Sequence, residues 1–239
     1  RGRLYVYSGV CTDNKVTPSV QYTYTDTWYY NSVANSWTKV SPPLTSPGYR
    51  TESAMTYDSV NDIFVLFGDS TFNRSETWHY SPAANTWQLI ATGGGNPGPR
   101  GGHMMVYDSV NRKVVLFGGY HNYSIDVLND IWLYDPVTKI WTDPNPPVKP
   151  PGERTDSLLT FDTLRGLVVY YAGVGNVWTY NVATNQWSNL NIAGGPVLDT
   201  NDPENYFAYD SSTDTFIFVK SKYPNPADTW ELKLGSVPA

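Results

Sequence analysis

Very little in this chain of 239 residues invites covalent, ionic or membrane chemistry. Cys11 is the only cysteine, so no internal disulfide can form and thiol content does not fix the redox compartment. Histidine is scarce: His79, His103 and His121 are the three, and no two have the spacing of metal ligands. Charged residues make up 16%, and the net charge is -6. No Lys/Arg cluster exists to attract a phosphate backbone, which argues against nucleic acid. No apolar run has the length of a membrane helix, which argues against direct membrane insertion. Catalytic motifs are missing too. There is no GxSxG elbow, and Gly93-Gly94-Gly95 lies between strand-like runs with no helix to follow, so it reads as a flexible loop rather than a phosphate cradle.

What the chain has in abundance is aromatic rings and turn formers. Nineteen Tyr and nine Trp are joined by nineteen Gly and eighteen Pro. Rings with polar tips suit a pleated surface, and scattered Gly and Pro punctuate short strands. The expectation is all-β.

The tryptophans reveal a repeat. Trp28, Trp78, Trp132, Trp178 and Trp230 are separated by 50, 54, 46 and 52 residues. The first four have a tyrosine two residues on (Tyr30, Tyr80, Tyr134, Tyr180), and each tyrosine has a second tryptophan seven further on (Trp37, Trp87, Trp141, Trp187). The clearest unit spans residues 100–142 and holds four apolar runs, which we call strands a, b, c and d. By this template the pieces are 1–40, 50–90, 100–142, 154–190 and 205–234. The first lacks an a strand and the last a d strand, giving eighteen strands in all. The incomplete ends predict that residues 1–239 belong to a longer protein with further units.

The unit resembles a kelch repeat, a blade of a β-propeller. The family signature is a Gly-Gly pair closing the second strand, then Tyr, six residues and Trp. Gly118-Gly119, Tyr134 and Trp141 match it in full. The pair decays to Ser8-Gly9, Gly68-Asp69 and Ala172-Gly173 elsewhere, and the fifth unit keeps only Trp230. The resemblance covers the whole chain. It implies a propeller of four-stranded antiparallel blades, about five visible, with the first and last incomplete.

Residues that recur in every unit read as scaffold. The Tyr/Trp pairs are expected to pack between blades. Asp58, Asp108, Asp162 and Asp210 end the a strands and are expected to bond to turn amides. Arg50, Arg100 and Arg154 share one position seven residues before the strand-ending aromatic, where repetition favours a structural role over ligand binding. Because strands alternate, a–b and c–d turns share one face, and b–c and d–a loops share the other. The a–b and c–d turns are short. The long segments are b–c (10–25, 70–75, 120–128, 222–227) and d–a (41–49, 91–99, 143–153, 191–203). Irregular loops on a rigid scaffold carry recognition.

This reading predicts a non-catalytic binding module for a protein or glycan, without a cofactor. Its candidate contact residues are Tyr49, Arg50, Phe72, Arg74, Arg100, Tyr120, His121, Tyr123, Arg154 and Tyr223. Acceptor sequons at Asn73 and Asn122 fall on the same face and lean toward a glycosylated, extracellular or cell-surface setting. Two alternatives remain open. Kelch propellers resemble the catalytic domain of galactose oxidase, whose copper site needs two His, two Tyr and a Cys joined to one Tyr; here the ligands would come from outside the chain. A cytoplasmic kelch adaptor is the other.

Overall fold

The computed structural model describes residues 3–13, 20–40, 45–69, 74–121, 127–151, 158–172, 176–192, 194–196, 205–222 and 225–235. Five sheets follow one another along the chain. The first is β1 (Arg3–Asp13), β2 (Val20–Asn31) and β3 (Ser36–Val40). The second is β4 (Ala54–Asp58), β5 (Ile63–Phe67), β6 (Thr77–Ser81) and β7 (Thr86–Ile90). A two-residue strand β8 (Gly93–Gly94) then joins the third sheet, β9 (Met104–Asp108), β10 (Lys113–Phe117), β11 (Ile131–Asp135) and β12 (Ile140–Thr142). The fourth is β13 (Leu158–Asp162), β14 (Leu167–Tyr171), β15 (Val177–Asn181) and β16 (Gln186–Asn189). The fifth is β17 (Asn205–Asp210), β18 (Thr215–Lys222) and β19 (Asn225–Leu232). Within each sheet the chain meanders, every consecutive pair antiparallel. The innermost strands β4, β9, β13 and β17 adjoin in turn around one axis. This is a β-propeller, and each sheet is a blade.

The tight turns share one construction. Asp58 Oδ1 accepts the amides of Val60 and Asn61 at 2.9 and 3.0 Å, and Asp108 and Asp162 do the same in their blades. The c–d turns reuse it through Asn31, Asp135 and Asn181. A short carboxylate or amide at the strand end therefore closes the turn without help from the rest of the fold.

Blades pack through their aromatics. Trp87 lies 4.6 Å from Tyr7 of the preceding blade, Trp141 5.1 Å from Phe67, and Trp187 5.2 Å from Phe117, between ring centroids. Trp87 Nε1 donates to Thr27 and Trp141 Nε1 to Thr77, so an indole carries both an apolar and a polar link between blades. Each fully buried ring contributes on the order of 2–3 kcal/mol.

Three sequence expectations need correction. Residues 10–25 are not a loop throughout, because β1 and β2 stay paired as far as Asp13 and Val20. Of residues 222–227, Lys222 and 225–227 are strand, with Lys222 opposite Asn225. Gly93-Gly94-Gly95 is not a free loop: it pairs with Ile140 and Trp141 of the next blade, which raises the strand count among the described residues to nineteen.

Candidate functional site

The b–c and d–a side of the disc is built on a repeated arginine lock. In the two d–a loops where it is described, the chain enters through proline and glycine (Pro47-Gly48 and Pro97-Gly98) and turns Arg50 and Arg100 inward. Arg100 Nη1 donates to Gly118 O at 3.0 Å and to Asp130 Oδ1 at 2.7 Å, and Nη2 donates to Asp130 Oδ2 at 2.9 Å. Its Nε donates to Pro97 O at 3.0 Å. In the preceding blade Arg50 Nη1 donates to Gly68 O at 2.9 Å, and Nη2 pairs with Glu76. Each acid also accepts the indole N–H of the tryptophan two residues on: Trp78 to Glu76 at 3.2 Å, and Trp132 to Asp130 at 2.7 Å. One guanidinium thus ties a d–a loop, a b-strand terminus and a c-strand entry together. Burial pushes the Arg50 guanidinium below its ordinary range. Burial alone would raise the Asp130 carboxyl, but the Arg100 hydrogen bonds outweigh it and hold that carboxyl low.

This geometry sorts the candidate contact residues. Arg50 and Arg100 are each 2% exposed and are occupied by the lock, and Tyr120 is 1% exposed with its hydroxyl donating to Glu52. These three side chains hold loops in place; buried as they are, they present nothing to a ligand. Tyr49, Arg74 and His121 keep exposed surface. Arg74 Nη1 donates to Pro47 O and Tyr49 O at 3.2 and 3.4 Å, and its Nε lies 3.8 Å from Asp69. His121 is exposed, and its Nδ1 bonds to Pro99 O. Phe72, Tyr123, Arg154, Tyr223 and both sequon residues, Asn73 and Asn122, lie outside the described residues.

The loops of the first three blades form one connected rim. Ser8 Oγ donates to Tyr24 O at 2.9 Å and accepts the Arg50 amide at 3.1 Å. Asp69 N donates to Arg100 O at 3.1 Å, and Gly102 N to Glu52 O at 3.0 Å. Gly119, at φ +89°, closes against this seam. A Cβ there would lie 2.6 Å from Gly101 O, so only glycine fits.

From that rim β1 and β2 run on as a paired ribbon as far as Asp13 and Val20, well beyond the five-residue length of the second blade's strands. Val20, Tyr22 and Tyr24 alternate along β2 and are 40%, 48% and 47% exposed. Strand alternation puts all three on one side of the ribbon. The candidate residues taken from the sequence did not include them. The signal was the Tyr-Thr-Tyr-Thr alternation at residues 22–25, which reads as strand rather than loop.

The remaining chemistry-bearing groups are interior. His79 is buried, and its Nε2 shares a hydrogen bond of 2.9 Å with the Tyr134 hydroxyl. His103 is 5% exposed, and neither ring nitrogen has a hydrogen bond of normal geometry. Cys11 is exposed on β1. Among the described residues no group of three or more His, Cys, Asp or Glu lies close enough to hold a metal ion, and no helix is long and apolar enough to cross a membrane.

The opposite face is more apolar than expected. Its short turns expose Val60, Val110 and Leu164 near the axis at 50%, 63% and 66%. An open depression of about 310 Å³ lies beside them, lined by Tyr57, Tyr107 and Phe161. Scattered exposed aliphatics are common on protein surfaces, so this face is a rival to be tested.

Repeated four-stranded sheets, indole links between blades and a glycine-closed b strand define a repeat propeller of the kelch type. The KLHDC2/KLHL20/DRC7 Kelch-repeats domain matches residues 1–211, and the chain belongs to the kelch-repeat family. No curated protein matches it significantly.

Proposed function

We propose that this kelch propeller is a non-catalytic protein-binding module that engages its partner through the b–c/d–a face of the first three blades. The observation that carries the reading is the contrast between the faces. The turn face repeats one construction from blade to blade, whereas the loop face varies and exposes Val20, Tyr22 and Tyr24 on β2 together with Tyr49, Arg74 and His121 in its loops. Exposed tyrosine and arginine on loops braced by buried ion pairs combine a low ordering cost with large contact area.

Kelch propellers bind proteins generally, and this choice favours a protein over a glycan. The test is affinity capture from an extract of the source organism with three forms of the chain. One is unaltered, one carries Tyr22→Glu with Tyr24→Glu, and one carries Val60→Glu with Val110→Glu. Proteins retained by the unaltered and Val-altered forms but lost, at least tenfold, from the Tyr-altered form are the expected result. Loss from the Val-altered form alone would move the site to the turn face.

The two sequons support a secreted or cell-surface setting. The expected outcome is a drop in intact mass on enzymatic glycan removal. An unchanged mass would favour the cytoplasmic adaptor reading.

A further inference from the structure

The β1–β2 ribbon leaves one backbone edge open beyond the loop rim. β2 is the middle strand of its blade, flanked by β1 and β3. The short β3 pairs with β2 only from Asn31 to Thr27, which stands opposite Val40. β1 stays paired with β2 as far as Val20. The outer side of residues 20–25 therefore has no strand beside it among the described residues. Every residue from Val20 to Thr25 is exposed, and two strands without a buried face are marginal in water. Edges are ordinarily guarded against pairing by lysine, other charges or proline, and residues 20–25 hold none of these. Val, Tyr and Thr fill every position there but Gln21, and these residue types favour a strand.

The direction of the backbone groups selects what pairs there. Tyr24 O faces β1, where Ser8 Oγ donates to it at 2.9 Å. Successive residues of a strand turn their amide groups to opposite edges, so Gln21 and Thr23 present N–H and C=O to the open side. β2 itself is complementary to that pattern. With Tyr22 on a two-fold axis, Tyr22 faces Tyr22 of a second copy, and Val20 faces its Tyr24. In the same register Gln21 meets Thr23 of the second copy, so the open backbone groups face one another. A shift by one residue would set Gln21 against Tyr24, whose backbone groups point away. A shift by two would set Val20 against Asp26. Aromatic–aromatic and aromatic–β-branched pairs are favourable across an antiparallel pair, and residues 20–25 carry no charge to oppose their own copy.

We infer that the outer edge of β2 at residues 20–25 pairs antiparallel with the same edge of a second copy of this chain. The interface is isologous, each copy giving the same edge. It joins β1 and β2 of one copy to β2 and β1 of the other in one continuous ribbon. Residues directly opposite in a sheet share a face, so Val20, Tyr22 and Tyr24 of both copies form a single row. The pairing stands on the edge alone. That the doubled row is what a partner meets rests on the loop-face reading, and that row is incomplete without the second copy.

The test is sedimentation velocity of the chain from low micromolar to several hundred micromolar. A reversible monomer–dimer equilibrium is expected. Thr23→Pro removes an N–H from the open edge and leaves the pairing with β1 in place. It is expected to weaken dimerisation at least tenfold while keeping the melting temperature within a few degrees. Tyr22→Lys and Tyr22→Glu each set like charges opposite one another on the axis. Neither chain is expected to dimerise alone, and their equimolar mixture is expected to restore the dimer. Should Thr23→Pro fail to fold, the charge pair decides. A chain that stays monomeric throughout would overturn the proposal. So would a dimer indifferent to Thr23→Pro, or a Lys/Glu mixture that does not associate. The chain with Val60→Glu and Val110→Glu is expected to dimerise like the unaltered protein whatever it captures, which separates failure of this pairing from failure of the loop-face reading.

Discussion

Replacing Arg100 by alanine is expected to destabilise the propeller by about 3 kcal/mol, the lower end of the range for breaking a buried ion pair from one side. The Arg100 side chain is 1% exposed and that of Asp130 is 26% exposed. The substitution strands the Asp130 carboxylate and removes the donors that satisfy Gly118 O and Pro97 O. Partial rewetting of Asp130 keeps the loss from reaching the upper end of the range. The arginine fastens three segments, so the third blade loses its d–a loop and the c-strand entry together. Urea unfolding of Arg100→Ala and Lys39→Ala provides the comparison. The Lys39 side chain is 50% exposed and pairs with Asp26 at 2.8 Å, so its removal is expected to cost less than about 1 kcal/mol. An Arg100→Ala chain within about 0.5 kcal/mol of the unaltered protein would contradict the lock.

Stability is expected to fall steeply as pH drops from about 6.5 to about 3. Burial, helped by the nearby Arg100 charge, pushes His103 down to about 3. Burial, helped by Lys139, pushes His79 down to about 4, with Asp58 opposing weakly. Both are neutral when folded and ordinary imidazoles when unfolded. Between the two pKa values the unfolded chain binds more protons, so stability is fully present above about 6.5 and is lost as pH falls toward the folded values. At about 1.4 kcal/mol per pKa unit, the sites contribute on the order of 3 kcal/mol for His79 and on the order of 5 kcal/mol for His103 across that window. His103→Ser is the discriminating variant, because the second and fourth blades carry Ser53 and Ser157 at that position. Thermal melting between pH 7 and 4 is expected to show a clearly flatter slope for the variant. An identical slope would mean that His103 charges in the folded state without cost. Carboxylates held low by ion pairs, such as Asp130, act in the same direction but below about pH 4.

The blades were legible because each Tyr/Trp pair recurs at fixed spacing, and the spacing reports strands that must meet their neighbours. The arginine lock was half legible. Repetition at 50, 100 and 154 marked a structural role, but the acceptors are found only by noticing the acid two residues before each c-strand tryptophan: Asp26, Glu76, Asp130 and Asp228. Asn176 breaks that series, and Trp178 Nε1 in its blade is buried without a partner. The glycine strand at residues 93–94 was not legible, because glycine carries no side-chain pattern from which pairing can be read. The β1–β2 ribbon was missed for a different reason. Its length fitted a loop, and the alternation in Tyr22 and Tyr24 is exposed, so it bears no mark of a core face. The candidate site shifted accordingly. Arg50, Arg100 and Tyr120 are buried and brace loops, and the contact row proposed above uses the exposed ribbon instead.

The central claim is that recognition belongs to the loop face of the first three blades. The most direct measurement is hydrogen–deuterium exchange of the chain alone and with a captured partner bound. The account predicts slowed exchange at residues 20–24 and around Tyr49 and His121, with the turns at 59–62, 109–112 and 163–166 unchanged. Protection confined to those turns, with the ribbon unaffected, would contradict it and place the partner on the opposite face.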